Sequence, residues 1–383
     1  MNWNLDFDLK QVPTPCFVLD KKLLIKNLEK LHYVQEQAGV KILCALKGFA
    51  MWSTFPLVKK YLSGATASSY HEALLCYEEM QSLAHLCCPL YTDTDFQKML
   101  AISSHITFNS LNQYERYYQE AKNKGLKIAI RINPEYSDSP AALYNPCIPG
   151  SRLGVTRDKF GDFLPKDVTG LHFHSLCESD SYALENTLNA ITNKFDTLLK
   201  QIEWFNMGGG HHITRKDYNV EHLITVLKNF KQRYPNIQSI YLEPGEAVGW
   251  QTGYLVSKIY DIIENQGIKV IMVDTSISAH MPDCIEMPYK PVILGATDPQ
   301  PGKQKYRIGG MTCLAGDYVG DYSFENEPKI GDFIVFNDMI HYTMVKTTTF
   351  NGINLPNIGI VHENRQFELI KSFGYQDYKS RLS

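Results

Sequence analysis

Apolar positions along the first two-thirds of the chain follow two periods. Short, mostly apolar runs recur as "VKILCAL", "GATAS", "AHLCCPL", "HITFN", "LKIAIRI", "VTGLHFHS", "EWFNM" and "SIYLEP". Runs of this length bounded by turn residues read as strands buried on both faces. Between most of them the apolar residues fall three or four apart, in "YHEALLCYEEM", "SLNQYERYYQEAKNKG", "SYALENTLNAITNKFDTLLKQI" and "VEHLITVLKNFKQRY". That is helical spacing. An earlier helix follows "CFVLD", with Leu24, Leu28 and Leu31 on one face and Gly39 as its stop. About eight strand–helix units is the number that closes a parallel (β/α)8 barrel, and a doubly wound open sheet is the competing arrangement.

From about Thr252 the helical period fades. "YLVSKIYDII", "KVIMVDTS", "YRIGGMTC" and "GDFIVFNDM" are strand-like runs separated by glycine-rich turns. The expected organisation is an α/β barrel over 13–252, with 1–12 and 253–383 forming a β domain. "SDSPAALYNPCIPGSRLG" is a proline-, glycine- and serine-rich excursion inside the barrel, expected to be an active-site loop.

Composition narrows the classes. The chain has 383 residues, 44% hydrophobic and 21% charged, with a net charge of -3. That balance points away from nucleic acid and anionic membranes as partners. No apolar run approaches membrane-spanning length, and the first residues lack the blocks of a signal peptide. Nine cysteines without framework or CxxC spacing read as reduced thiols, so the expected compartment is the cytoplasm.

The C-terminal strand ends of a barrel carry its chemistry. They supply Lys47, Ser68-Ser69, Arg131, His172 and His174, Gly208-Gly209-Gly210, and Glu243 to Glu246. Lys47 ends an apolar strand, where its ammonium is costly to desolvate. A glycine triplet after the seventh strand lets backbone N–H groups approach phosphate oxygens. Glu243 suits a pyridinium nitrogen and His174 suits stacking on a ring. Lysine, phosphate cradle, stacking group and acid together describe a site for pyridoxal 5'-phosphate bound through Lys47. A metal-dependent barrel hydrolase is the main rival, resting on the His-x-His spacing of "HFH" and on "HH".

The chain resembles the fold-type III pyridoxal-phosphate decarboxylases, which include ornithine and diaminopimelate decarboxylases. The resemblance runs through "TPCFVLD", "CALKGFA", "RINP", "YNPC", "SRLG", "FHSLCE", "NMGGGHHIT", "EPGEAVG", "HMPD", "GGMTCLAGD" and "FNDMIHYTMVKTTTFNGI". Within the family it is most similar to the carboxynorspermidine and carboxyspermidine decarboxylases. The resemblance implies the alanine racemase/ornithine decarboxylase-like fold. It also implies that Lys47 carries the cofactor, His174 stacks on it, Gly208, Gly209 and Gly210 hold phosphate with Tyr342, and Glu243 faces the ring nitrogen. Cys313 and Asp317 would reach the site from a second subunit, giving a homodimer with shared active sites. Cys313 is then the candidate for returning a proton to the former α-carbon.

Two departures bear on substrate. Where ornithine and diaminopimelate decarboxylases usually carry arginine after "EPG", this chain has Glu246, and Leu314 replaces an acid after Cys313. Glu246 and Asp283 are carboxylates suited to a cationic arm. The expected reaction is decarboxylation of carboxynorspermidine or carboxyspermidine in polyamine biosynthesis. Alternatives are a diaminopimelate- or ornithine-type decarboxylase, or a racemase on the same cofactor.

Overall fold

The computed structural model describes residues 5–139 and 142–383. Residues 1–4 of the expected β domain and 140–141 of the proline-rich excursion lie outside the described residues. The chain divides into two compact units, one of Lys26–Val248 and one of the residues up to Ile25 with Gly249–Ser383.

The first unit is an eight-stranded parallel barrel. Its strands are Lys41–Ile42 continued by Cys44–Ala45, then Ala65–Ala67, Ala84–Cys87, Ser103–Phe108, Lys127–Arg131, Val168–His172, Trp204–Asn206 and Ser239–Leu242. Closure happens at Leu43. Before it the first strand pairs with the eighth, Lys41 opposite Tyr241, and after it with the second, Cys44 opposite Ala65. The helices expected from spacing are present at Lys21–Ala38, Tyr70–Glu79, Leu111–Asn123, Ser181–Leu199 and Val220–Arg233. Side-chain caps make the strand–helix turns sharp: Ser69 accepts from Glu72 N, Ser110 from Gln113 N and Asn219 from His222 N. Among the described residues no long helix follows the fifth strand; the excursion carries the one-turn helix Ala142–Tyr144, and Arg157–Lys159 follows it. Asn109 anchors it, donating to Arg152 O at 2.8 Å and accepting from Gly154 N at 3.0 Å.

The barrel interior is more aromatic than its apolar runs indicate. His85 and His105 stack at 3.8 Å between centroids, with Tyr241 and Trp204 packed against them. Gly170 faces the indole of Trp204, and a Cβ there would lie 2.2 Å from Cε2. The strand therefore needs glycine to make room for the ring.

The second unit is a mixed nine-stranded sheet. Its longest strand, Gly253–Asn265, pairs antiparallel with Cys16–Asp20, Phe333–Asn337 and Ile268–Val273. Cys16–Asp20 also pairs parallel with Asn357–Val361, and Val12, Cys16, Val18, Val256, Val335 and Val361 form a core on this sheet. The expected boundary at residue 13 is corrected here. Cys16–Asp20 is a central strand of the mixed sheet, and five consecutive buried residues look the same in either sheet. Only its pairing partners decide.

The stacked histidines set a pH dependence. Burial lowers both, His105 to about 3, whereas an unfolded histidine titrates near ~6.5. Below that value the unfolded chain binds protons that the folded chain refuses, so stability present above about pH 6.5 is lost as pH falls toward 3. By about pH 5 the share of His105 is about 2 kcal/mol. The urea midpoint of the wild type should therefore fall faster from pH 7 to 5 than that of His105→Leu. Equal slopes would remove His105 as the cause.

Candidate active site

Lys47 follows the first barrel strand in a turn closed by Gly48 N and Phe49 N, both donating to Ala45 O. A Cβ on Gly48 would lie 2.9 Å from Glu246 N, so the turn is wedged against the loop after the eighth strand. The lysine Nζ ends 3.1 Å from His174 Nε2. On the other side of that ring, Gly209 N donates to Nδ1 at 2.9 Å. An imidazole that accepts at Nδ1 carries its proton on Nε2. The Nε2–H therefore donates to Lys47, whose nitrogen accepts as a free amine. Electrostatics agree with this assignment. Burial and the nearby Arg131 guanidinium lower the lysine, against the opposing pull of Glu243, Cys87 and Glu72. His174 is held well below its ordinary value chiefly by burial. An uncharged amine is the nucleophilic form, and burial and Arg131 shift the lysine toward it.

Glu243 follows the eighth strand and is buried. Asn206 Nδ2 donates to Oε1 at 2.7 Å, and His172 Nε2 lies 3.4 Å from Oε2. Burial alone would raise this carboxyl, but His172, Asn206 and Thr66 outweigh it and hold it below its usual range. His172 is raised to about 9 by the Cys87 sulfur, 3.8 Å from Nδ1, and by Glu243, both overcoming burial.

Gly208 and Gly210 have φ of +66° and +84°. A Cβ on Gly208, Gly209 or Gly210 would lie 2.2, 2.5 or 2.1 Å from Phe173 O, Glu243 O or Leu176 O. The triplet is thus required by packing of its loop onto the ends of the sixth and eighth strands. That packing also leaves a stretch of bare backbone beside Lys47, His174 and Glu243. Glu246 opens the short helix Glu246–Gly249, with Oε2 3.8 Å from His212 Nε2. Lys47, His174, Gly208, Gly209, Gly210, Glu243 and Glu246 are therefore brought together at one end of the barrel. An amine, a held carboxylate and a bare loop form a donor set that fits pyridoxal phosphate.

The remaining expected residues belong to the sheet unit. Cys313 is exposed, and its N–H donates to Asn351 Oδ1 at 2.7 Å. Tyr342 opens the short helix Tyr342–Val345. Asp317 and Asp283 differ from expectation. Asp317 is buried and accepts from Ser276 Oγ, Ile277 N and Ser278 N on Oδ1, and from Thr312 N and Oγ1 on Oδ2. Its carboxylate ties the Ser276 and Thr312 segments together and is not offered to a substrate. Asp283 is buried too, taking the hydroxyls of Tyr289 and Thr343 on Oδ2 at 2.6 and 2.7 Å. Neither role has a sequence signal, because an acid in a polar loop reads the same whether it faces solvent or its own backbone. Cys87 and Asn206 lie inside the strand runs read from the sequence, and only the structure shows that they end their strands.

His172 and His174 address different protein partners, and among the described residues no cluster of histidine, cysteine and acidic groups is built to hold a metal ion. The family model of the pyridoxal-dependent decarboxylases, described as their C-terminal sheet domain, matches residues 16–340. The chain is 48% identical over 374 residues to carboxyaminopropylagmatine decarboxylase of a Synechocystis strain, covering 98% of this chain and 96% of that one. It is 43% identical to carboxynorspermidine/carboxyspermidine decarboxylase of Campylobacter jejuni, covering 97% and 99%. The crystal structure of carboxynorspermidine decarboxylase from Campylobacter jejuni, complexed with norspermidine, matches with a TM-score of 0.89 at 41% identity, over 97% of this chain and 100% of that one. The chain belongs to the pyridoxal-dependent decarboxylases, enzymes that remove carbon dioxide from an amino-acid head with pyridoxal phosphate as cofactor.

Proposed function

We propose that this enzyme decarboxylates a carboxylated polyamine, carboxynorspermidine or carboxyspermidine, as a homodimer with shared sites. The observation that carries the reading is the full-length similarity to enzymes named for such substrates. Glu246 supports it, since an acid after "EPG" favours a cationic arm over the phosphate contact an arginine would make. A second reading is favoured by the carboxyaminopropylagmatine relative at 48% identity. That substrate has a similar head and ends in a guanidinium rather than an ammonium.

Each residue of the cluster has a task in this reading. Lys47, delivered as a free amine by His174, would hold the cofactor. His174 would lie along its ring, the Gly208–Gly210 loop and Tyr342 would take the phosphate, and Glu243 would keep the ring nitrogen protonated. When bound, the cofactor accepts the electron pair left as carbon dioxide departs. Cys313, exposed on this chain, would come from the partner subunit and return a proton to the α-carbon. Glu246 would bind the arm. Asp317 is engaged through both oxygens in its own unit, whereas Asp283 is engaged there through Oδ2 alone.

Three measurements check this. Lys47→Ala should lose turnover and the visible absorbance of bound cofactor together; a borohydride-reducible adduct on another lysine would contradict it. Mixing inactive Lys47→Ala and Cys313→Ala proteins with subunit exchange should restore about a quarter of wild-type activity, since half of random dimers carry one intact site of two. No recovery after proven exchange would put both residues in one subunit. Finally, kcat/KM should rank carboxynorspermidine, carboxyspermidine and carboxyaminopropylagmatine well above diaminopimelate. Glu246→Gln should cost about 1.5–3 kcal/mol on the three cationic-arm substrates and little on diaminopimelate. A best rate with diaminopimelate would refute the polyamine reading, and a best rate with the guanidinium substrate would favour the second.

A further inference from the structure

A line of three side chains crosses the mouth of the barrel from the third strand to the eighth. Cys87 Sγ lies 3.8 Å from His172 Nδ1, and His172 Nε2 lies 3.4 Å from Glu243 Oε2. Asn206 secures the other oxygen of Glu243. The His172 ring is 1% exposed, so water does not compete for its nitrogens. An acid therefore stands at each nitrogen. An imidazolium donates to both, whereas a neutral ring donates to one and must accept at the other.

The surrounding charges decide between these two states. Around Cys87 stand Arg131, Lys47, Glu243 and His172, with Cys88 and Tyr91 alongside; around His172 stand Cys87, Glu243 and His174. Burial alone would keep Cys87 a thiol, yet His172 and Arg131 bring it below its ordinary value. Burial instead raises Cys16, Cys44, Cys76, Cys88, Cys147, Cys177 and Cys284. Arg131 also acts on Cys147 without reversing its rise, so what sets Cys87 apart from these seven is the imidazole beside it.

We propose that Cys87 and His172 form a thiolate–imidazolium pair that holds the Glu243 carboxylate ionised and aimed, making both positioning residues for the acid that faces the cofactor. The proton moves from Cys87 Sγ to His172 Nδ1, leaving one negative and one positive group, and nothing else is transferred. The imidazolium then donates through Nε2 to Glu243. Removing the thiolate discharges the ring, and Glu243 loses the cation that keeps it ionised. The inference rests on the reading that Glu243 meets the ring nitrogen, but the ion pair itself does not.

The test uses the holoenzyme and has two arms. In the first, the ultraviolet band of the thiolate is followed from about pH 5 to 9 as wild type minus Cys87→Ser. The band should already be present at neutral pH and be absent in His172→Asn. Its appearance only near ~8.5, where a free thiol ionises, would overturn the pair. In the second arm, Cys87→Ser should move the acid limb of the kcat profile upward by about one pH unit, a tenfold change in proton affinity, with KM little changed. An unmoved limb would overturn the link to Glu243. Glu243→Gln keeps the two readings apart. Normal turnover in that variant would remove Glu243 from the chemistry and with it the positioning role, while leaving the neutral-pH thiolate band in place.

Discussion

Two groups that water would normally keep charged, a half-buried amine and a buried carboxylate, stand at one end of the barrel. Desolvating an ion costs several kcal/mol unless a partner compensates. The barrel answers differently for each. Lys47 is shifted toward its neutral form and meets the Nε2 of His174. Glu243 keeps its charge and is held by Asn206 and His172. Much of the local construction follows, including the Gly209 N–H that sets the tautomer of His174 and the sulfur beside His172. An amine and a carboxylate thus coexist in one site, each with its proton affinity lowered from its ordinary value.

Close backbone packing makes these placements rigid. The Lys47 turn is wedged against the start of the Glu246 helix through Gly48, and the Gly208–Gly210 loop rests on Phe173 O, Glu243 O and Leu176 O. No side chain can be added at these contacts without displacing a strand end. Small residues here serve the geometry of the site even where they touch no ligand. In the sheet unit, Asp317 performs the matching task with hydrogen bonds, joining the segment that carries Cys313 to the Ser276 turn.

The sequence by itself determined the barrel, the sheet-rich second unit and most of the cluster. Buried parallel strands and amphipathic helices have distinct periods, and the last residue of each barrel strand faces the same end, so Lys47, His174 and Glu243 could be gathered from strand ends alone. It also held the family, because motifs from "CALKG" to "FNDMIHYT" keep their order along the chain. What tertiary structure decided are matters of partnership. Cys16–Asp20 is apolar throughout and suits either sheet, and only Gly253–Asn265 and Asn357–Val361 beside it assign it to the second. Asp317 looks like a substrate acid until the hydroxyl and N–H donors around both of its oxygens are seen. Cys87, His172 and Asn206 gain meaning only when the third, sixth, seventh and eighth strands converge on Glu243. Periodicity reports which way a residue faces; which charge it meets there depends on residues far away in the chain.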